Sequence, residues 1–238
     1  MGPLTENCPK PLLNVAGRPL IEHIVDGFGR AGACDFIIVT GYRGNQIEAA
    51  LGDGSRLGVR IRYRRQTAAE GTARALLLAR DVLGELPFAL GWGDILVQPE
   101  FYGELLQSFA RRPCDALLAL NECDDPWQGA AVYIDQDGRV RRIVEKPPRG
   151  SSTTPWNNAG VFVFDPVALE YAARLLPSAR GEYELPQAIG TMVQDGRAVF
   201  GLPIRGYWSD VGTPEHLVRA EAEFPVAARG LRAATNAA

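Results

Sequence analysis

Residues 35–42 read DFIIVTGY, and this run decides the class of fold. Phe36, Ile37, Ile38 and Val39 follow one another with no polar residue between them, whereas a strand with one wet face alternates. Unbroken β-branched character belongs to a strand covered on both faces, as in a parallel sheet flanked by helices. Upstream, RPLIEHIVDGFGRAGA (18–33) repeats apolar residues at Leu20, Ile24, Phe28 and Ala31, one face of a helix opened by Pro19. Downstream, GNQIEAALGDG (44–54) predicts a short helix closed by Gly52, and VRIRYR (59–64) alternates as a strand. GTARALLLARDVLG (71–84) is the next helix, and PFALGWGD (87–94) is a strand that ends on a carboxylate. A helix over 98–112 and a strand DALLAL (115–120) continue the alternation.

From there the character changes. AAVYIDQDGRVRRIVEKP (130–147) reads as a hairpin turning at DQDG, and NNAGVFVFDP (157–166) as a strand. Helices are expected over 167–176 and 184–195, then a strand AVFGLPI (198–204), a turn WSDVGTP and a helix PEHLVRAEAEF (214–224). The expected architecture is α/β: a Rossmann-like three-layer αβα sandwich with a mixed, mostly parallel sheet and an inserted antiparallel piece. No repeat or low-complexity linker interrupts it, so residues 1–225 are expected to form one domain and 226–238 a frayed tail.

Composition narrows the function. A net charge of −3 lacks the basic face that nucleic-acid binding needs. No stretch approaches the ~20 consecutive apolar residues of a membrane span, and the N-terminus lacks the layout of a signal peptide. The four cysteines are scattered without a C-x-x-C pair, and read as reduced thiols of a cytoplasmic protein.

Ligands of an open parallel sheet bind beyond the carboxyl ends of its strands. Asp94 in GWGDIL and Asp210 in GYWSDVGTP both stand at such ends, where two carboxylates can share one hard cation. Each is equally readable as a turn-former or helix cap. Lys10 in CPKPLL and Lys146 in VEKPP are lysines in proline-stiffened settings, suited to phosphate or simply to solvent. Gln66 follows a strand, and Gly71-Thr72-Ala73 opens a helix; a flat ring fits against residues that small, and a glutamine can donate to and accept from a base edge. His23 and His216 fall on helices without partner motifs and read as structural. There is no Ser-His-Asp or Cys-His set, Walker sequence or complete G-x-G-x-x-G.

Taken in order, PLTENCPKPLLNVAGRPLIEH, QTAAEGTARAL, GWGDIL, RIVEKP, NNAGVFVFDP and GYWSDVGTPEHL make the chain resemble the sugar-1-phosphate nucleotidyltransferases nearly end to end. The resemblance implies transfer of a nucleoside monophosphate from a nucleoside triphosphate to a sugar 1-phosphate, with release of pyrophosphate. It implies Mg2+ held by Asp94 and Asp210, with Lys10 on the triphosphate and Lys146 on the sugar phosphate. Glu145 would accept from sugar hydroxyls, Gly129 and the Asn158–Gly160 segment would line the sugar pocket, and Gln66, Gly71 and Thr72 would read the base. Gln128 stands where the family often has a tyrosine. A glutamine suits the imide edge of uracil or thymine, which favours UTP or dTTP, and glucose 1-phosphate is the favoured acceptor. Homo-oligomers occur among similar chains. A non-catalytic sugar-nucleotide-binding relative, a mannose-1-phosphate guanylyltransferase and a CTP-dependent enzyme are the open alternatives.

The family pattern also implies a strand and a Gly-rich loop ahead of Met1, on the order of fifteen residues. A chain lacking that loop, by a misplaced start or in truth, is expected to turn over triphosphate poorly.

Overall fold

The computed structural model describes residues 2–225. Its first half runs α1 Pro3–Glu6, β1 Asn14–Val15, β2 Arg18–Pro19, α2 Leu20–Arg30, β3 Asp35–Thr40, α3 Gly44–Leu51 and β4 Arg60–Arg65. It continues with α4 Thr72–Leu77, α5 Arg80–Leu83, β5 Phe88–Gly91, β6 Ile95–Val97, α6 Pro99–Arg111 and β7 Ala116–Glu122. The second half holds β8 Ala130–Ile134, β9 Val140–Glu145, β10 Trp156–Phe164, α7 Val167–Arg174 and α8 Leu185–Gln194. The last elements are β11 Val199–Pro203, β12 Trp208–Asp210 and α9 Pro214–Glu223. The tail expected to fray, 226–238, lies outside the described residues.

The central sheet has the order β11-β7-β10-β8-β9, with β5 also paired to β10. Strand β11 runs parallel to β7, and β10 runs antiparallel to both β7 and β5. Strands β5, β7 and β11 therefore share one direction, with β10 reversed between two of them.

The alternation of side chains along β7 and β10 builds the three layers. Leu118, Leu120, Phe162 and Phe164 point to the face packed by α4, α7 and α8, where Leu76, Leu169, Ile189 and Met192 are buried. Their neighbours Leu117, Ala119, Val161 and Val163 point to the opposite face, against Ile24 and Phe28 of α2 and Phe101, Tyr102 and Leu105 of α6. A strand buried on both sides shows no polar alternation, which is why these segments read as continuous apolar runs. The hairpin β8–β9 is antiparallel as expected, and Asp135 Oδ1 closes its turn by accepting from the N–H groups of Asp137 and Arg139.

Some details differ from the sequence reading. The segment 71–84 forms two short helices, α4 and α5, instead of one. Helix α2 starts only at Leu20, because Arg18–Pro19 pair with Asn14–Val15 in a small antiparallel ladder and Pro19 is extended. The three-residue strands β6 and β12, too short to show a period, were not foreseen. Strands β3 and β4 form a parallel ladder of their own, and no ladder joins β3 to β5 among the described residues. A groove lies there, with Ile24, Phe28, Phe36, Ile38, Ala89 and Leu90 on its walls. No helix among the described residues is long and apolar enough to cross a membrane, and the cysteines are unpaired.

His23 has the structural role expected of it. It is buried on α2, its Nε2–H donates to the Val15 carbonyl at 2.8 Å, and its ring meets Phe224 edge-on at 4.7 Å. Burial pushes its pKa below the ordinary 6.5, since an imidazolium there would lose its hydration. The folded state thus stays neutral at a pH where the unfolded chain takes up a proton, and stability is lost as pH falls below 6.5. Urea unfolding from neutral pH to about 5.5 is expected to show a falling midpoint, and His23→Gln, which cannot titrate, is expected to flatten that fall.

Candidate active site

A continuous cleft runs from the groove between β3 and β5 to the ends of the central strands, with a volume of about 1670 Å³ for the two together. At one end, β6 and β12 form an antiparallel ladder in which Asp210 faces Ile95, and the Val211 N–H donates to the Asp94 carbonyl at 3.0 Å. This short ladder places the carboxylates of Asp94 and Asp210 side by side. Thr213 caps α9 directly after Asp210, its hydroxyl accepting from the His216 N–H at 3.2 Å, which fixes the turn that carries the carboxylate.

Lys10 comes from the far N-terminal side. Pro9 and Pro11 flank it, and a single 3₁₀ turn, Lys10–Leu12, holds its backbone. Pro11 packs down on Gly93, where a Cβ would stand 3.2 Å from Pro11 Cγ. The Lys10 ammonium donates to Asp94 Oδ2 at 2.6 Å and reaches Asp210 Oδ1 at 3.4 Å. Burial and the neighbouring Asp94 charge raise the pKa of Asp210, while Lys10 pulls it back down. Among the described residues no group of three or more His, Cys, Asp or Glu gathers as a metal cage. The donor set here is two carboxylates on one side of an open cleft, which already hold one positive group between them. That chemistry fits a hard divalent cation that takes its remaining ligands from phosphate and water.

The other end of the cleft is built on glycines and asparagines. The Lys146 N–H donates to the Gly129 carbonyl at 2.7 Å, which ties the turn after β9 to the start of β8. Lys146 itself sits at φ +42°, a left-handed conformation that is costly for a residue with a Cβ. Asn157 is the hub: its Oδ1 accepts from the Ala130 N–H, and its Nδ2 donates to Asn121 Oδ1 and the Asn158 carbonyl. A side chain on Gly129 would collide with Asn157 Oδ1. Gly160, at φ +77°, lies so close under Trp92 that a Cβ would come within 2.5 Å of the indole. Asn158 Nδ2 and Trp92 Nε1 are buried without a partner among the described residues, and both residues line the cleft. Buried donors of this kind are rare and call for an acceptor.

Glu145 lies between these groups, mostly buried, with its pKa raised by burial and partly restored by Lys146 and Arg180. Arg180 reaches Glu145 Oε1 at 3.5 Å and also pairs with Glu184.

Of the residues expected from sequence, Thr72, Asp94, Gly129, Glu145, Lys146, Asn158 and Asp210 line the cleft, and Lys10 is bonded to its carboxylates. Gln66, Gly71 and Gly160 do not line it. Gln66 Nε2 donates to the Gly71 carbonyl at 3.2 Å, and Gly71, at φ +103°, is pressed against the Tyr183 backbone, 2.5 Å from where its Cβ would be. Thr72 also has a structural task, accepting the Leu185 N–H at 2.9 Å. His216, read from sequence as structural, lines the cleft near Asp210, so its ring has a different setting from that of His23. Sequence reasoning passed over Arg180, Trp92 and the Asn121–Asn157 pair. Arg180 stands in an irregular loop, and nothing short of the fold shows that it faces Glu145 from 35 residues away.

Residues 1–225 match the nucleotidyl transferase family. A low-salt glycan biosynthesis nucleotidyltransferase of Haloferax volcanii is 34% identical over 221 residues, covering 92% of this chain and 60% of that protein. A glucose-1-phosphate thymidylyltransferase of Streptomyces griseus is 34% identical over 210 residues, covering 88% of this chain and 58% of its own length. The chain thus spans about 60% of the length of these relatives. The crystal structure of a candidate glucose-1-phosphate thymidylyltransferase from Bacillus anthracis, in complex with sucrose, superposes with a TM-score of 0.85 at 29% identity. That likeness covers 93% of this chain and 89% of the other. With a sequence match over residues 1–225 and a fold likeness over 93% of its length, this chain belongs to the nucleotidyl transferase family.

Proposed function

We propose that the protein transfers a nucleoside monophosphate from UTP or dTTP to a sugar 1-phosphate, glucose 1-phosphate being favoured, to give a nucleoside-diphosphate sugar and pyrophosphate. The observation that carries this reading is the cleft itself. Two carboxylates and a lysine stand at one end, and a lysine, a glutamate and unpaired amide donors at the other. The names of the relatives support the same chemistry, and a cytoplasmic location goes with this reading.

In this reading an oxygen of the sugar phosphate attacks the α-phosphorus in line. The bond from the α-phosphorus to the bridging oxygen breaks, and the electron pair leaves with pyrophosphate. Nothing in the chain needs to become covalently attached, so catalysis is positioning and charge stabilisation. Asp94 and Asp210 hold Mg2+, which when bound offsets negative charge on the phosphates. Lys10 contacts the triphosphate beside the reacting phosphorus, and Lys146 orients the sugar phosphate. Glu145 accepts from sugar hydroxyls, while Asn158 Nδ2 donates to one, and Gly129 and Gly160 shape the pocket by letting Asn157 and Trp92 close on the backbone. Thr72 would meet the base from the cleft wall; Gln66 and Gly71 stand off that wall, and Gln66 would have to reach in to read it. The Gln66 amide nitrogen is already engaged with Gly71, so its free Oε1 and remaining N–H would meet the imide edge.

Pyrophosphate release tests this with UTP or dTTP, glucose 1-phosphate and Mg2+. The assay uses the 238-residue chain and the same chain preceded by the strand and Gly-rich loop of the family pattern. Turnover is expected in the extended form, with Asp210→Asn slowing it on the order of 10²–10³-fold while leaving the thermal midpoint nearly unchanged. Turnover with CTP or GTP alone would overturn the base assignment. Absence of turnover together with absence of UDP-glucose or dTDP-glucose binding in both forms would overturn the whole reading.

Glu145 supplies a pH signature. Its raised pKa means that the ionised, hydrogen-bond-accepting form is lost at a higher pH than the ordinary 4.5 of a glutamate. Calorimetric affinity for UDP-glucose, whose own charge is constant in this range, is expected to weaken as pH falls toward that point. Glu145→Gln is expected to bind roughly 10–100-fold more weakly at neutral pH, the worth of a charged hydrogen bond, and to show no such dependence.

A further inference from the structure

The carboxylate pair is already neutralised in part by the chain's own lysine. Lys10 Nζ stands 2.6 Å from Asp94 Oδ2 and 3.4 Å from Asp210 Oδ1, on the side of the carboxylates that a shared cation would use. With both carboxylates ionised the local charge is −2, and Lys10 brings it to −1. The Lys10 side chain is 26% exposed, against 33% for Asp94 and 51% for Asp210, so a dissolved ion or phosphate can reach all three. Among the described residues there is no third acidic, histidine or cysteine ligand to complete a cage. A small divalent cation that keeps several waters is held poorly by two carboxylates alone, and more poorly when an ammonium occupies one of them and repels the newcomer.

The ammonium leaves most readily when another anion takes it. Its backbone is fixed by flanking prolines and the contact of Pro11 with Gly93, so the flexible four-carbon stem alone must move. A triphosphate brought into the cleft offers that anion and at the same time the missing oxygen ligands. We infer that Lys10 is an exchangeable counter-ion of the Asp94–Asp210 pair, handed to the triphosphate as the divalent cation takes its place. The pair thereby admits the cation with nucleotide and resists it alone. Cation and triphosphate are then positively coupled through one side chain, each raising the affinity for the other by the same factor. The inference rests on the reading of Asp94 and Asp210 as cation ligands.

Mn2+ titration of the full chain, followed by the paramagnetic resonance of the free ion, tests it. The titrations are done without nucleotide and with an α,β-methylene analogue of UTP. The wild-type protein is expected to bind Mn2+ weakly alone and at least about tenfold more tightly with the analogue. Lys10→Met, which keeps the length of the stem and removes the charge, is expected to bind Mn2+ alone at least about tenfold more tightly than wild type and to lose most of the coupling. Lys10→Arg, which keeps the charge, should behave as wild type, and Lys10→Gln gives a second neutral variant should the methionine protein fail to fold. Neutral variants that bind Mn2+ alone no better than wild type would overturn the inference, even if Asp94→Asn and Asp210→Asn still weaken Mn2+ binding. If Asp210→Asn leaves the gain of Lys10→Met intact, the carboxylate reading itself is what fails.

Discussion

Two carboxylates on adjoining strands repel each other, and the cleft is organised around containing that repulsion. The ladder between β6 and β12 is only three residues long, yet it fixes Asp210 against Ile95 and the Val211 N–H on the Asp94 carbonyl. The ladder fixes the two backbones, so the carboxylates stay neighbours whichever rotamers they take. A positive group must therefore stand between them, and Lys10 is placed for it by prolines that remove much of the freedom its loop would otherwise have. Burial of Leu96 and Val211 beside these residues, in a core shared with Leu13, Val15 and Leu20, anchors all three segments from behind.

The far end of the cleft relies on the absence of side chains. Gly129 lets Asn157 close on the backbone of β8, and Gly160 lets Trp92 lie over β10. These two approaches hold the floor rigid enough that Lys146 tolerates an unfavourable backbone conformation. Strain confined to an exposed residue with a chemical task, and held by the bond of its N–H to the Gly129 carbonyl, is the pattern expected of a preorganised site. Arg180 adds a tether across the cleft, bridging Glu145 at the end of β9 and Glu184 at the start of α8.

Much of the fold was legible because the central strands are buried on both faces. The runs in β7 and β10 carry that signal in residue type alone, and the hairpin carries its turn in the DQDG of 135–138; the run in β3 reads the same way, yet Phe36–Val39 are only half-buried, beside the groove. The strands that matter most to the cleft were not legible: β6 and β12 are too short for any period, and their pairing depends on where the rest of the chain puts them. The carboxylates were picked out by position at strand ends, which the ladder accounts for, and Lys10 by its prolines. Gln66 was picked out by residue type. Its amide turns out to be bonded to Gly71, an interaction between two loop residues that carries no pattern. Arg180 and Trp92 escaped notice because an arginine in a loop and a tryptophan after a strand are ordinary, and only their neighbours make them otherwise.

The groove between β3 and β5 has a consequence for how the molecule comes apart. Strands β3 and β4 share no backbone ladder with the central sheet among the described residues, and their attachment runs through side chains: the packing of α2, Phe36 against the core of α6, and the Arg64–Asp81 ion pair. One face of α2, with Ile21 and Val25, belongs to the core of Ile47, Leu51 and Ile61, while Ile24 and Phe28 belong to the core of α6. Helix α2 and Phe36 are thus shared by two apolar clusters that no backbone ladder joins among the described residues. Joined by side chains alone, such units can open with separate free energies. The amides of β3 and β4 are accordingly expected to exchange with solvent through a partial opening that leaves β7 and β10 protected.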